Sequence, residues 1–253
     1  MRSIYVWPEK KWSDNMIAII GAMQPEVDAL LALSTENNTR VISNHTFVVG
    51  KLSQTDVVIA LSGVAKVAAA TTTTILLEHF DVDGIINIGT AGGLLKDQKV
   101  LDVVVSTRVA HHDADLTAFG IAKGFDSDRF AYNSDPRFVS IVEQALGEGE
   151  EAFKVWVGPM VSGDQFIASK QQVEAILKDF PTAMCCEMEA AAIAQVATIY
   201  QIPFVVIRSL SDITLRDDNH LSFEEYLPLA SKRSAQWVYK IIDQLKESTK
   251  KPV

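Results

Sequence analysis

A chain of 253 residues, 48% hydrophobic and 22% charged, has the apolar material for a full core and lies well outside the composition of disordered proteins. Its formal net charge is −9, and its 23 Lys and Arg are scattered apart from Lys246, Lys250 and Lys251, which argues against a nucleic-acid or anionic-membrane surface. The two cysteines, Cys185 and Cys186, are adjacent, so they cannot staple distant segments and lack zinc-type spacing; buried reduced thiols in a cytoplasmic protein are expected.

Residues 1–15 carry Lys10, Lys11 and Asp14 but no apolar core of signal-peptide length. No run approaches the ~18 apolar residues of a membrane span. The stretch reads as an N-terminal extension, disordered or non-native, ahead of a domain at 16–247 and a tail at 248–253. Val- and Ile-rich strands are expected at 16–21, 57–61, 84–88, 102–106, 155–161 and 204–210. Helices are expected between and after them, at 25–33, 65–80, 136–146, 170–178, 188–200 and 223–245. Several strands are apolar almost throughout, as strands covered on both faces are. The alternation predicts a single α/β domain whose central mixed, mainly parallel twisted sheet is flanked by helices.

In open α/β sheets ligands sit outside the carboxyl ends of the strands. There the chain reads Gly21-Ala22-Met23, Ser62-Gly63-Val64, Gly89-Thr90-Ala91-Gly92-Gly93, Ser162-Gly163-Asp164 and Ser209-Leu210-Ser211-Asp212. Each small or polar run begins as a hydrophobic strand stops, which points to one shared pocket. Gly89 to Gly93 lacks the G-x-G-x-x-G spacing and no Walker lysine follows, so a nucleotide-phosphate cradle is rejected. In His111-His112-Asp113-Ala114-Asp115 consecutive side chains splay apart and nothing nearby completes a metal shell; a loop oriented by hydrogen bonds is expected.

Four acidic residues at three places in the chain invite chemistry. Glu26 follows Pro25 at the start of the first helix, where an acid suits the helix dipole. Cys186-Glu187-Met188-Glu189-Ala190 puts two acids at the start of an alanine-rich helix, where they either cap the helix or face a polar ligand. Asp212 leaves an apolar strand and is expected to be partly desolvated, a setting that favours the protonated form a general acid needs. A simple turn aspartate would also suit that position.

Taken together, Ile19-Ile20-Gly21-Ala22-Met23-x-x-Glu26, Ser62-Gly63-Val64-Ala65-Lys66, Asn87-x-Gly89-Thr90-Ala91-Gly92-Gly93, His112-Asp113-Ala114-Asp115-x-Thr117-Ala118-Phe119-Gly120, Ser162-Gly163-Asp164-x-Phe166-Ile167, Glu187-Met188-Glu189 and Arg208-x-x-Ser211-Asp212 closely resemble the methylthioadenosine/S-adenosylhomocysteine nucleosidases. These belong to the purine nucleoside phosphorylase and uridine phosphorylase superfamily. The resemblance implies a purine nucleoside phosphorylase-like fold and hydrolysis of the bond between adenine and the thioribose, through a ribosyl cation-like transition state, in the service of methionine salvage. It implies that Asp212, oriented by Ser211, protonates the departing adenine and that Glu26 draws a proton from the attacking water. Glu189 would bind the ribose hydroxyls and favour the cation, Met188 would pack on the sugar, Arg208 would position carboxylates, and Glu187 would bind substrate or only orient the turn.

Phe166 and Ile167 would read adenine through their backbone, with the Phe166 ring stacked on it. Thr90, Ala91 and Gly92 would line the purine and ribose, and Met23, Val64 and Phe223 the alkylthio end. A homodimer is implied, with Phe119 completing the neighbour's slot; no metal or cofactor is. The chain departs from the family's pattern at Gln24-Pro25, at Thr90 and at Ile121-Ala122-Lys123-Gly124-Phe125, the last altering the lid of the alkylthio pocket. A phosphorylase of the same superfamily is disfavoured because Glu26 would repel a phosphate dianion. A futalosine hydrolase is a closer rival that the motifs exclude less firmly. A non-catalytic nucleoside-binding protein is disfavoured by the joint presence of Glu26, Glu189 and Asp212.

Overall fold

The computed structural model describes residues 16–147, 153–215 and 223–250, with side chains of the last segment described over 226–246. The expected extension 1–15 lies outside the described residues. The chain runs β1 (Met16–Gly21), α1 (Gln24–Leu31), β2 (Thr35–Ile42), β3 (His45–Leu52), β4 (Thr55–Leu61), α2 (Lys66–His79), β5 (Val82–Gly93) and β6 (Val103–His111). It continues through β7 (Ala131–Asn133), α3 (Pro136–Gly147), β8 (Val155–Ser162), α4 (Lys170–Asp179), β9 (Cys185–Glu187), α5 (Ala190–Ile199), β10 (Phe204–Ile213) and α6 (Phe223–Lys250). All six expected strands and six expected helices are present. Helix α6 runs past 247, through Lys250.

Four further strands go beyond those expected: β2, β7 and β9 lack a hydrophobic signature of their own or are very short, whereas β3 buries Phe47, Val48 and Leu52. β2 is polar and almost wholly exposed, so it has no hydrophobic alternation to read. The turns on either side of β3 are built by Ser43-Asn44 and Ser53-Gln54, all at positive φ; these are hairpin turns made without the glycine that usually announces them. β7 and β9 are three residues each. β9 corrects the reading of 188–200 as one helix reaching back to the acids: Glu187 ends a strand, and α5 begins at Ala190.

The sheet is mixed and parallel through its centre, β4–β1–β5–β10. Strands β2, β3 and β4 form an antiparallel meander on one side. On the other side the order β10–β6–β8–β9–β5, with a direct β10–β5 pairing, closes five strands into a ring. β5 is long enough, at 12 residues, to pair with β1 through its first half and with β9 at Gly92 and Gly93.

Alternation along β1 sends side chains to both faces. Ile17 and Ile19 pack with Val27 and Leu30 of α1 and with Trp237, Val238, Ile241 and Ile242 of α6. Ala18 and Ile20 pack with Ala69 and Leu76 of α2 and with the Ala190–Ala194 segment of α5. Each fully buried Ile, Leu or Phe stabilises the fold by ~1.5–3 kcal/mol. Small side chains let α5 approach the sheet closely, which brings its first turn against the strand ends.

Candidate active site

Ring closure gathers the strand ends. Register sets Asp212 beside Gly92 and Gly92 beside Cys186, while Ser162 lies beside both His111 and Glu187. Above them opens a cleft of about 760 Å³, measured to its open mouth. Its wall contains Met23, Val64, Thr90, Ala91, Gly92, Phe166, Ile167, Glu187, Met188, Glu189, Ser211 and Asp212, so twelve of the residues singled out by sequence converge from separate segments of chain. Ala22, Gln165 and Cys186 also line it, without having a role assigned from sequence. Phe166 is 71% exposed and Val64 58%, which leaves two apolar side chains standing at the mouth.

The two acids of the 186–190 motif have separate tasks. The Glu187 carboxylate accepts from the backbone N–H of Glu189 at 3.0 Å and of Ala190 at 2.9 Å and from the Ser162 hydroxyl. Ser162 Oγ in turn accepts from Ala191 N–H at 2.8 Å. Glu187 and Ser162 therefore satisfy the otherwise unpaired donors that open α5. Glu189, although it stands at the N-cap, makes no capping bond. Its Oε1 accepts instead from Ala65 N–H, 2.8 Å away and 124 positions back in the chain.

Arg208, counted with the substrate-binding residues in the role of positioning carboxylates, is fully buried and absent from the cleft wall, and it pairs with the Glu187 carboxylate. Its Nη2 donates to Glu187 Oε2 at 2.6 Å and to Asn87 Oδ1 at 2.7 Å. Gly89 makes room for it, since a Cβ there would stand 3.1 Å from Arg208 Nη1. Burial opposes the Arg208 charge, but Glu187, then Glu189 and Glu26, more than offset that and hold it protonated.

Glu26 sits behind Ala22 and Met23, at 1% exposure. Its Oε2 accepts their N–H groups at 2.8 and 2.9 Å, while Oε1 has no protein partner among the described residues. Burial raises its pKa above the usual carboxylate value, against the opposing pull of the Met23 N–H, the Arg208 charge and the Ala22 N–H. It is thereby a stronger base than a surface glutamate. Glu189 is pushed up as well, to about 7, first by burial and then by the charge of Glu187; Arg208 and the Ala65 N–H oppose the shift, and Glu26 adds to it.

Asp212 Oδ1 accepts from the Ser211 hydroxyl at 2.8 Å, and Oδ2 from Thr214 Oγ1 at 3.1 Å. Thr214 escaped the sequence reading, although a threonine two residues after an aspartate at a strand end is a recognisable local partner. Gly92 leaves the carboxylate room, a Cβ there lying 3.4 Å from Asp212 Oδ2. Burial, followed by the charges of Asp212 and Glu187, pushes the Cys186 thiol up to about 12, so it contributes an uncharged wall. Phe119 lies away from this cleft, in a short 3-10 turn, 79% exposed. Phe223 opens α6, and its side chain lies outside those described. In the His111 to Asp115 segment, His111 Nε2 contacts Gln195 Oε1 at 3.1 Å and Asp115 caps the turn at Thr117 N–H, 2.9 Å away.

The chain has close counterparts among known proteins. The family model described as Phosphorylase superfamily matches residues 16–243. A 5'-methylthioadenosine/S-adenosylhomocysteine nucleosidase from a Geobacillus strain is 44% identical over 232 residues, covering 91% of this chain and 99% of the relative. The protein of the same name from Shewanella piezotolerans is 43% identical, covering 90% of this chain and 99% of its own. Among solved structures, the Neisseria meningitidis nucleosidase in complex with methylthio-immucillin-A superposes with a TM-score of 0.83 at 38% identity, covering 90% of this chain and 99% of that one. The Colwellia psychrerythraea nucleosidase in complex with adenine gives 0.84 at 38% identity, with 93% and 98% covered. On that fold, with that identity along nearly its whole described length, the chain belongs to the 5'-methylthioadenosine/S-adenosylhomocysteine nucleosidases of the phosphorylase superfamily.

Proposed function

We propose that this protein hydrolyses the N-glycosidic bond of 5'-methylthioadenosine and S-adenosylhomocysteine, releasing adenine and the thioribose product. The observation that supports the reading is the presence of Glu189 and Asp212 on the wall of one cleft, with Glu26 buried directly behind the Ala22 and Met23 part of that wall. As the bond to adenine breaks, its electron pair goes to the purine, and Asp212, held by Ser211 and Thr214, delivers a proton to the five-membered ring. The ribosyl carbon gains positive charge. Glu189 binds the ribose hydroxyls and stabilises that charge from a position where little water competes. Glu26 takes a proton from the attacking water, whose oxygen bonds to the ribosyl carbon. Proton exchange with solvent then resets both carboxyl groups.

Phe166 covers the purine and, with Ile167, reads it through backbone groups, where a six-amino and a six-oxo purine exchange donor for acceptor. Thr90, Ala91, Gly92 and Met188 enclose purine and sugar, and Met23 and Val64, with Phe223, form the alkylthio slot. An apolar slot discriminates by ~1–3 kcal/mol per methylene, so methylthio and larger thioether substituents both fit. The working form is a homodimer in which Phe119 closes the neighbour's slot; the exposure of Phe119, Val64 and Val67 supports it. The protein acts in the cytoplasm, a setting supported by two buried free cysteines, and its products feed methionine salvage. No helix among the described residues is long and apolar enough to cross a membrane.

The test is incubation of the purified protein with methylthioadenosine, with and without phosphate, followed by assay of adenine and the sugar. Free methylthioribose formed without phosphate supports hydrolysis. Strict dependence on phosphate would overturn it in favour of a phosphorylase.

A further inference from the structure

Three charged side chains that the proposed chemistry leaves unused meet at the rim of the cleft. Lys66, the first residue of α2, places Nζ 2.6 Å from Asp113 Oδ1 and 3.5 Å from Asp164 Oδ2. Its backbone N–H donates to Asp164 Oδ1 at 2.9 Å, and Asp164 N–H donates to Asp113 Oδ2 at 3.0 Å. The triangle ties together the start of α2, the loop after β6 and the loop after β8. Two of those segments continue straight into the cleft wall, through Val64 on one side and Gln165, Phe166 and Ile167 on the other.

Between Val64 and Lys66, Ala65 has φ 76° and ψ 164°, a backbone region reserved almost wholly to glycine. In that conformation its N–H donates to Glu189 Oε1, at 2.8 Å. A strained residue persists where its surroundings over-determine it. Here the next residue is fixed twice over, by its N–H on Asp164 and by its ammonium between Asp113 and Asp164. Asp113 is suited to the part: burial opposes its charge, but the Lys66 hydrogen bond and the Asp164 N–H hold its pKa below the usual value.

We propose that Lys66, Asp113 and Asp164 are positioning residues, a clamp that keeps Ala65 in its strained conformation so that its N–H stays aimed at the ribose-binding carboxylate of Glu189. The inference rests on the nucleosidase reading of the cleft. The groups facing Glu189 are Glu187 from β9, Arg208 from β10, Glu26 from α1 and the Ala65 N–H ahead of α2. Of these, Arg208 and the Ala65 N–H favour its ionised form. A released clamp removes the second and misplaces the carboxylate.

The experiment measures adenine release from methylthioadenosine against pH for the full chain, Lys66→Met, Asp113→Asn, and Lys66→Met combined with Ala65→Gly. Lys66→Met is expected to lower kcat/KM by ~10-fold or more, as loss of orientation at a reacting centre does, and to move the acid limb of the kcat/KM profile to higher pH. Asp113→Asn, which keeps the shape of the side chain, is expected to follow in the same direction. Adding Ala65→Gly to Lys66→Met is expected to recover most of the loss, because glycine adopts φ 76° without a clamp. Kinetics within twofold of wild type for both single variants, or a double variant no better than Lys66→Met, would overturn the proposal. Absence of adenine release by the wild-type chain would overturn the nucleosidase reading beneath it, a result separate from a wild-type enzyme indifferent to Lys66.

Discussion

Replacing Arg208 with methionine removes the cation that pairs with Glu187 and whose charge also acts on Glu189 and Glu26. Glu187, whose side chain is 2% exposed, loses its ion pair, and Asn87 Oδ1 loses a donor. Breaking a buried pair by removing one partner costs ~3–5 kcal/mol. Glu187 keeps the Glu189 and Ala190 N–H groups and the Ser162 hydroxyl, which pulls the figure down; the orphaned Asn87 oxygen pulls it up. A loss of ~4 kcal/mol follows, or roughly 8–16 °C in Tm at ~2–4 °C per kcal/mol for a chain of this size. Chemical unfolding by urea, followed by circular dichroism, measures it. Glu187→Gln added to Arg208→Met removes both charges, so the double variant is expected to cost less than the sum of the singles by ~1–3 kcal/mol. A single-variant loss under ~1 kcal/mol, or strict additivity, would refute the idea that this pair is a mutually dependent buried unit.

Glu26→Gln and Asp212→Asn are each expected to lower turnover by ~100-fold or more, the size of a lost general acid or base; near-normal adenine release from either variant removes its role. Thr214→Val, which takes one of two hydroxyl donors from the Asp212 carboxylate, is expected to lower kcat by ~3–10-fold with little change in KM, read from initial rates. Glu189 makes stability pH-dependent. Its folded pKa of about 7 exceeds the reference 4.5, so between those values the folded chain holds more proton than the unfolded chain and stability falls as pH rises. The fall attributable to this residue is ~3 kcal/mol and is complete above about pH 7. Urea unfolding of wild type and Glu189→Gln across that range checks it, and an unchanged slope in the variant would count against the assignment.

The apolar strands β1, β4, β5, β6, β8 and β10 were legible because burial on both faces leaves an unbroken run of Val and Ile. β2 was not, because an exposed strand is held by its neighbour's backbone and carries no pattern of its own. The candidate acids Glu26, Glu189 and Asp212 stood out as ionisable groups near the ends of hydrophobic segments, and the family resemblance supplied the role expected of each. Their supports did not stand out. The donor to Glu189 is a backbone N–H 124 residues away, and a backbone donor leaves no trace in residue type. Glu187 read as a possible ligand because sequence proximity to Glu189 hides that strand β9 turns its carboxylate inward, towards Arg208 and the start of α5.

The ring of strands has no free edge of its own and β7, paired only with β6, is three residues long, so the exposed side of β2 is the longest edge among the described residues at which another chain could add a strand. That edge reads Thr35-Glu36-Asn37-Asn38-Thr39-Arg40 before its first apolar residue, and Glu36, at φ 56°, breaks its register between Thr35 and Asn38. Charged, amide-rich and kinked, it is a poor template for intermolecular pairing. A protein whose centre is built from bare Val and Ile strands thus presents, at its longest described edge, a segment ill suited to seed a fibril.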